Sequence, residues 1–319
     1  EGDKIFNVYL SKIDKKSFSS IELTSSSKDI IIKILSCIPN AYNEWIKNEK
    51  IKIKSLDDHH KSTALNNIKT AQSDSERMIE GIEFISQNEN AFKSFVYAQS
   101  AIKLQFSWSN TSQNDLEWRP FQLGFFLMNI AYLKDPHHKD RDIMDLLWFP
   151  TGGGKTEAYL LIIAFILFYK RLNPKNEIKN GLTVLMRYTL RTLTVDQFVR
   201  ASAVILACEH IRRQKINSNE NEIISIGMWV GSKTTPNHIG QDIDSDISSP
   251  KQLEDCPCCK KILSPYPQSK SSLFYCENEK CNLSYIKPFP VYTIDSIIYE
   301  KKPSLLIATI DKFAQIVRN

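Results

Sequence analysis

The stretch L-W-F-P-T-G-G-G-K-T, residues 147–156, decides the fold class of this chain. An apolar run at 143–149 precedes three consecutive glycines, and a long apolar segment follows them up to Leu172. Strand, glycine-rich loop and helix in this order are typical of a phosphate-binding P-loop. The glycines let backbone N–H groups converge on phosphate oxygens, and the helix N-terminus adds its dipole to the anion site. The sequence therefore predicts a nucleotide-binding α/β protein.

Individual residues of this loop have predicted roles in binding ATP. Lys155 is expected to reach the β- and γ-phosphates, and the Thr156 hydroxyl is expected to bind Mg²⁺, which makes these two residues the catalytic candidates. The predicted nucleotide site comprises Pro150, Thr151, Gly152, Gly153, Gly154, Lys155, Thr156 and Glu157. A chance Gly-Lys-Thr in a surface loop is the alternative, but three glycines between a strand and an apolar helix argue against it.

The composition is that of an ordinary globular protein. The chain has 319 residues, 42% of them hydrophobic, and a formal net charge of +5. This charge permits contact with nucleic acid, although a solvated lysine-rich surface gives the same value. No run approaches the roughly 18 consecutive apolar residues of a membrane span, and no secretory signal is present. We therefore expect a cytoplasmic protein without a membrane partner.

Hydrophobic periodicity divides the chain into three predicted parts. Residues 1–107 form a helical N-terminal region, residues 108–249 with 290–319 form one α/β lobe, and residues 250–289 are an insertion. Apolar strands are predicted at 143–149, 182–186, 223–230 and 304–308. Because helices alternate with these strands, the sheet should be parallel, and the loops that follow the strands should meet at one edge.

The insertion contains five of the seven cysteines. Two of them, Cys256 and Cys259, belong to the run C-P-C-C, and Cys276 and Cys281 follow as a second pair. Short spacing within each pair suits a tetrahedral Zn²⁺ site of the zinc-ribbon type, with Cys258 spare and a structural role for the metal. Two disulfides are the competing interpretation, although a cytosolic protein keeps its thiols reduced.

Several motifs in combination resemble a known helicase family. They include E-N-A-F-K-S-F-V-Y-A-Q-S at 89–100, R-P-F-Q-L-G-F at 119–125, the P-loop, V-L-M-R-Y-T-L-R-T-L-T at 184–194, and P-S-L-L-I-A-T-I-D-K-F-A at 303–314. From about residue 89 onward, these motifs resemble the superfamily-two helicases of the bacterial anti-phage DISARM system. The resemblance implies a RecA-like lobe, ATP-dependent movement along DNA, and DrmB of the same system as a partner.

The resemblance also implies roles for residues outside the P-loop. Arg119, Phe121 and Gln122 are similar to the adenine-reading element, with Gln122 on the base edge. The implied nucleic-acid contacts are Arg187, Thr189, Arg191, Thr194, Lys233, Thr309 and Lys312. A buried glutamine that caps a helix is the alternative for Gln122. Internal salt bridges are the alternative for Arg187 and Arg191.

One departure from the helicase pattern limits the expected activity. The sequence contains no Asp-Glu dipeptide, the acidic pair that holds Mg²⁺ and positions the attacking water in such enzymes. We therefore expect a fragment that lacks this acidic motif and the second lobe and that is inactive alone, although the whole protein hydrolyses ATP. Two other functions stay open: a non-catalytic scaffold that binds nucleic acid, and a P-loop NTPase acting on a small molecule.

Overall fold

The computed structural model describes most of the chain. The described residues are 18–109, 115–133, 135, 137–150, 152–173, 181–188, 191–216, 222–240, 248–270 and 272–312. Two predicted site residues, Thr151 and Thr189, lie outside these ranges, and so does the side chain of Arg191.

The described residues fold into two compact units. The first comprises residues 1–100 and 115–162, and the second comprises residues 101–114 and 163–319. The helices are α1 (Glu22–Ser25), α2 (Lys28–Ile53), α3 (Asp58–Gln87), α4 (Glu89–Ser109), α5 (Pro120–Ile130), α6 (Lys155–Leu172), α7 (Arg191–Lys215) and α8 (Asp295–Lys301). The helical N-terminal region is therefore confirmed, whereas the predicted domain limits stay predictions.

Helix packing builds the core of the first unit. Helices α2, α3 and α5 pack against one another through apolar stripes at helical spacing. Fully or almost fully buried members of these stripes are Ile31, Leu35, Ile38, Met78, Ile85, Leu123 and Leu127. Apolar residues at helical spacing in these three helices are therefore core positions.

The second unit is built on a four-stranded parallel sheet. Its strands are β1 (Val184–Tyr188), β2 (Ile226–Trp229), β5 (Val291–Tyr292) and β6 (Leu305–Thr309), in the order β1-β6-β2-β5. The short strands β3 (Ser264–Pro265) and β4 (Phe274–Tyr275) form a separate antiparallel pair in the insertion. The predicted α/β class, with a parallel sheet, is confirmed.

A buried arginine joins helix α6 to the sheet within the second unit. The Arg171 guanidinium is 3% exposed, and it donates to the carbonyls of Glu222 and Ile223 and to the Ser304 hydroxyl. Burial lowers the pKa of Arg171 to about 10, so the group remains charged at neutral pH. A buried cation is tolerated here because several acceptors replace its water shell.

The strand predicted at 143–149 is the part of the sheet prediction that is wrong. The structure assigns no strand to these residues, and Met144, Leu146 and Trp148 are 94%, 81% and 87% exposed. Alternating apolar residues indicate a strand only when a partner supplies the hydrogen bonds. Within the described ranges, no segment pairs with this one.

None of the described helices combines the length and the apolar character that crossing a bilayer requires.

Gly81 of α3 allows a close approach to α5, and this contact generates a stability prediction. A Cβ at Gly81 would collide with the carbonyl oxygen of Leu127 and lie 2.9 Å from its carbonyl carbon. Because backbone cannot move aside cheaply, Gly81→Ala should lower the free energy of unfolding by about 1–3 kcal/mol in urea denaturation.

A second helical glycine provides the matched control. A Cβ at Gly124 would meet the flexible Met78 thioether at 3.3 Å, and alanine also has the higher helix propensity. Gly124→Ala should therefore change the stability by less than about 1 kcal/mol. Equal losses in both variants would contradict the packing argument.

Candidate nucleotide and metal sites

The glycine-rich loop adopts a conformation that suits anion binding. Gly152 and Gly154 have φ values of +76° and +84°, which residues with a Cβ rarely adopt. Helix α6 then begins at Lys155 and runs for 18 residues. Successive backbone N–H groups at such a turn, followed by a helix N-terminus, form a concave site for phosphate oxygens.

Two side chains at the start of α5 hold the carbonyl groups of this loop. Gln122 Nε2 donates to the Gly154 carbonyl at 2.7 Å, and Arg119 Nη1 donates to the Gly153 carbonyl at 3.2 Å. Gln122 Oε1 also accepts the Arg119 backbone N–H at 2.8 Å. Gln122 is 4% exposed, and its side-chain amide both caps α5 and holds the loop. The contact with adenine stays a prediction.

An aromatic stack supports the loop from its N-terminal side. The rings of Phe121 and Phe149 are stacked, with centroids 3.9 Å apart and an angle of 17° between their planes. A Cβ at Gly153 would lie 2.5 Å from the Phe149 ring. Phe149 stands where the P-loop pattern G-x-x-x-x-G-K-[ST] has its first glycine. Its ring packs directly against the loop and leaves room only for glycine at position 153.

The predicted phosphate-binding lysine lies within the loop. Lys155 Nζ donates to the carbonyls of Phe149 at 2.5 Å and Pro150 at 3.1 Å. Thr156 and Glu157 occupy the next positions of the first turn of α6, and both are half-buried. Lys155 and Thr156 therefore lie in the first turn of α6, and their contacts with phosphate and Mg²⁺ stay predictions.

Two of the predicted nucleic-acid contacts, Arg187 and Lys233, lie near one edge of the sheet in the second unit. The parallel register pairs Arg187 with Ala308, Tyr188 with Thr309, and Trp229 with Ala308, so these three strands end at the same level. Arg187 and Lys233 are exposed there. Both cations are therefore accessible at the carboxyl edge of the sheet.

Three other predicted contact residues are buried. Thr194 and Thr309 are 0% and 4% exposed. Lys312 is 6% exposed, its Nζ lies 2.6 Å from Asp295 Oδ2, and it lies over the Trp229 ring at 5.8 Å from the centroid. The sequence did not point to Asp295 as the partner of Lys312, because the two residues are 17 positions apart and no local pattern connects them.

Four cysteines of the insertion form a compact group. The Sγ atoms of Cys256 and Cys281 are 3.6 Å apart, and those of Cys259 and Cys276 are 3.5 Å apart. All four sulfurs lie within 4.8 Å of one another, and none is in a disulfide. Zinc–sulfur bonds of about 2.3 Å in a tetrahedron place sulfurs about 3.8 Å apart, so the group fits Zn²⁺. The predicted ligand set is therefore gathered in one place.

The local environment prepares one of these thiols for ionisation. Burial opposes ionisation of Cys259, but hydrogen bonds from the Asn278 side chain, the Lys261 backbone and the neighbouring thiols outweigh it and lower its pKa to about 7. Burial raises the pKa of Cys276 to about 11. Metal ligands must be thiolates, so binding of the ion releases protons from the thiols that are neutral in its absence.

The insertion is attached to helix α7 by a contact that the sequence did not reveal. The Tyr285 hydroxyl lies 3.0 Å from Nδ1 of His210, and the Arg213 guanidinium lies 5.9 Å from the centre of the Tyr285 ring. Burial lowers the pKa of His210 more than a backbone hydrogen bond at Asn282 raises it, so the imidazole is neutral at pH 7. No local motif signals this contact, since 75 residues separate its partners.

Taken together, the fold and the sites define a class of protein. It is an α/β protein with a parallel four-stranded sheet, a helical N-terminal region and a cysteine cluster that can hold zinc.

The comparison with curated proteins points to a particular one. The chain is similar to the DISARM protein DrmA of Bacillus paralicheniformis (strain ATCC 9945a / NCIMB 11709 / CD-2), with 36% identity over 343 residues. The similarity covers 94% of this chain but only 30% of that protein. No protein-family model matches the chain.

The cysteine geometry leads to a prediction about metal content. The purified protein should contain one zinc ion per chain, and Cys256→Ser should lose it because one of four ligands is removed. Elemental analysis, together with the thiolate charge-transfer bands of a Co²⁺-substituted sample, measures both changes. Cys258→Ser is the matched control and should keep its zinc; loss of zinc in both variants would argue against this ligand set.

Proposed function

We propose that the chain is the nucleotide-binding part of an ATP-dependent DNA helicase or translocase that acts in DISARM anti-phage defence. The similarity to DrmA supports the defence role. The chain spans about a third of the length of that relative, so the activity is proposed for the whole protein. Resemblance to the helicase family supports DrmB as a partner and the cytoplasm as the location.

The observation that carries this proposal is the braced P-loop. Gln122 and Arg119 hold the carbonyls of Gly154 and Gly153 by hydrogen bonds, and we infer that the loop fixed in this way presents backbone N–H groups to an anion. When ATP binds, Lys155 exchanges the Phe149 and Pro150 carbonyls for the β- and γ-phosphates, and the Thr156 hydroxyl binds Mg²⁺. Hydrolysis also needs a carboxylate that positions water, and we assign that role to no residue of this chain.

Exposed cations support a nucleic-acid substrate, and the cysteine group is assigned a separate, structural role. Exposed cations at the carboxyl edge of the sheet, Arg187 and Lys233, suit contact with a phosphodiester backbone, which is independent of base sequence. We assign Zn²⁺ in the Cys256, Cys259, Cys276 and Cys281 group a structural role, because four thiolates leave no coordination position open for a substrate.

The nucleotide role is tested on the whole protein by Lys155→Ala. DNA-stimulated ATP hydrolysis should fall by about 100-fold or more, because the mutation removes the positive charge that stabilises the transferred phosphoryl group. The thermal unfolding temperature should stay the same, since Lys155 is only half-buried. Lys50→Ala, at an exposed position on α2, is the control for removing a lysine. Undiminished hydrolysis in Lys155→Ala would contradict the proposal.

The nucleic-acid role is tested by Arg187→Ala and Lys233→Ala. Each should weaken DNA binding about equally across sequences and reduce the slope of log K against log salt by about 1, because each removes one phosphate contact. Fluorescence anisotropy with two unrelated oligonucleotides at several salt concentrations measures this. Lys301→Ala, an exposed lysine on α8, should leave the slope unchanged. A slope equal to wild type in both test variants would remove these residues from the interface.

A further inference from the structure

A second group of metal-ligating side chains lies in the first unit, away from the cysteines. Glu80 of α3 and two residues of the loop at 137–142, His138 and Asp140, each direct a ligand atom into one small volume. These three atoms lie within 4.8 Å of one another. Glu80 Oε2 is 3.3 Å from His138 Nε2, and Asp140 Oδ2 is 3.9 Å from His138 Nδ1. An imidazole is thus flanked by two carboxylates.

One carboxylate oxygen of each acidic residue in this group is buried, although the Glu80 side chain as a whole is 35% exposed. Asp140 is 8% exposed, and among the described residues neither its Oδ2 atom nor Glu80 Oε2 has a hydrogen-bond partner. A buried carboxylate oxygen that lacks a hydrogen bond destabilises the folded state, because its desolvation is not compensated. These two oxygen atoms therefore lack a cation or a hydrogen-bond donor.

The neighbouring cations, Arg77 and Lys139, form no hydrogen bond with either of these two oxygens. Arg77 directs Nη1 and Nη2 to the Asp145 carboxylate at 2.7 and 2.6 Å, and its Nε, which also lacks a hydrogen-bond partner among the described residues, stays 3.9 Å from Asp140 Oδ2. Lys139 lies 3.6 Å from the other Glu80 oxygen, Oε1, and its side chain is 66% exposed. Arg77 is therefore balanced by Asp145, whereas the exposed Lys139 contributes only a screened charge near Glu80.

We propose that Glu80, His138 and Asp140 form a binding site for a divalent first-row transition-metal ion. One imidazole nitrogen and two carboxylate oxygens are the ligands that Mn²⁺, Co²⁺ and Zn²⁺ accept, with water completing the coordination. The Asp140 backbone N–H, 3.2 Å from His138 Nδ1, sets the plane of the ring beside both carboxylates. The bound ion fastens the loop at 137–142 to helix α3, next to the Arg77–Asp145 ion pair.

Binding of Mn²⁺ to the whole protein, without nucleotide, tests the site. Mn²⁺ favours carboxylate and imidazole over thiolate, so it distinguishes this group from the cysteine cluster. Titration followed by the EPR signal of free Mn²⁺ should give one bound ion per chain. His138→Gln and Asp140→Asn should each weaken binding at least tenfold. His137→Gln is the matched control, because His137 is exposed and outside the group, and it should bind like wild type.

A spectroscopic measurement keeps the test decisive if a variant fails to fold. Electron spin-echo spectroscopy of Mn²⁺ bound to the wild-type protein should show coupling to an imidazole ¹⁴N nucleus. Absence of Mn²⁺ binding, equal binding by folded His138→Gln, or bound Mn²⁺ without nitrogen coupling would each overturn the proposal. In the first case, His138 acts only as a hydrogen-bonding partner of the two carboxylates.

Discussion

The nucleotide site depends on where the carbonyl groups of the P-loop point. When the N–H groups of a loop converge on an anion, the carbonyls must turn outward and need donors of their own. Gln122 and Arg119 supply those donors to Gly154 and Gly153. Without them, partly buried carbonyls would be left unpaired, at about 1–3 kcal/mol each, and the loop would relax away from the phosphate-binding conformation.

This constraint explains why one residue serves two elements. The Gln122 amide has an acceptor oxygen and a donor nitrogen, and the structure uses the oxygen to cap α5 and the nitrogen to hold the loop. Glutamate could not replace it, since a carboxylate has no donor for the Gly154 carbonyl. The helix start at Arg119–Gln122 and the glycine-rich loop therefore form a single structural unit, although about 30 residues separate them.

Features with a local physical cause could be predicted from the sequence, and those with a distant cause could not. The strands near 184, 226 and 305 were predicted from short apolar runs, and the cysteine group from the spacing within each pair. The segment at 143–149 has the same apolar pattern but needs a partner strand, which no local signal supplies. The contacts of Gln122 with Gly154 and of Tyr285 with His210 have the same character, because each joins residues far apart in the chain.

Lys312 shows how burial determines which partner a charged side chain can bind. In the sequence it stands where a helicase loop contacts the DNA backbone, but its side chain is almost fully buried beside Asp295 and Trp229. A lysine in such a place needs a counterion, since an unpaired buried ammonium is strongly unfavourable. Binding a phosphate there would require breaking a 2.6 Å ion pair and bringing an anion close to the Asp295 carboxylate. In this conformation Lys312 therefore links the residues that follow β6 to the start of α8, whereas Arg187 and Lys233 are exposed.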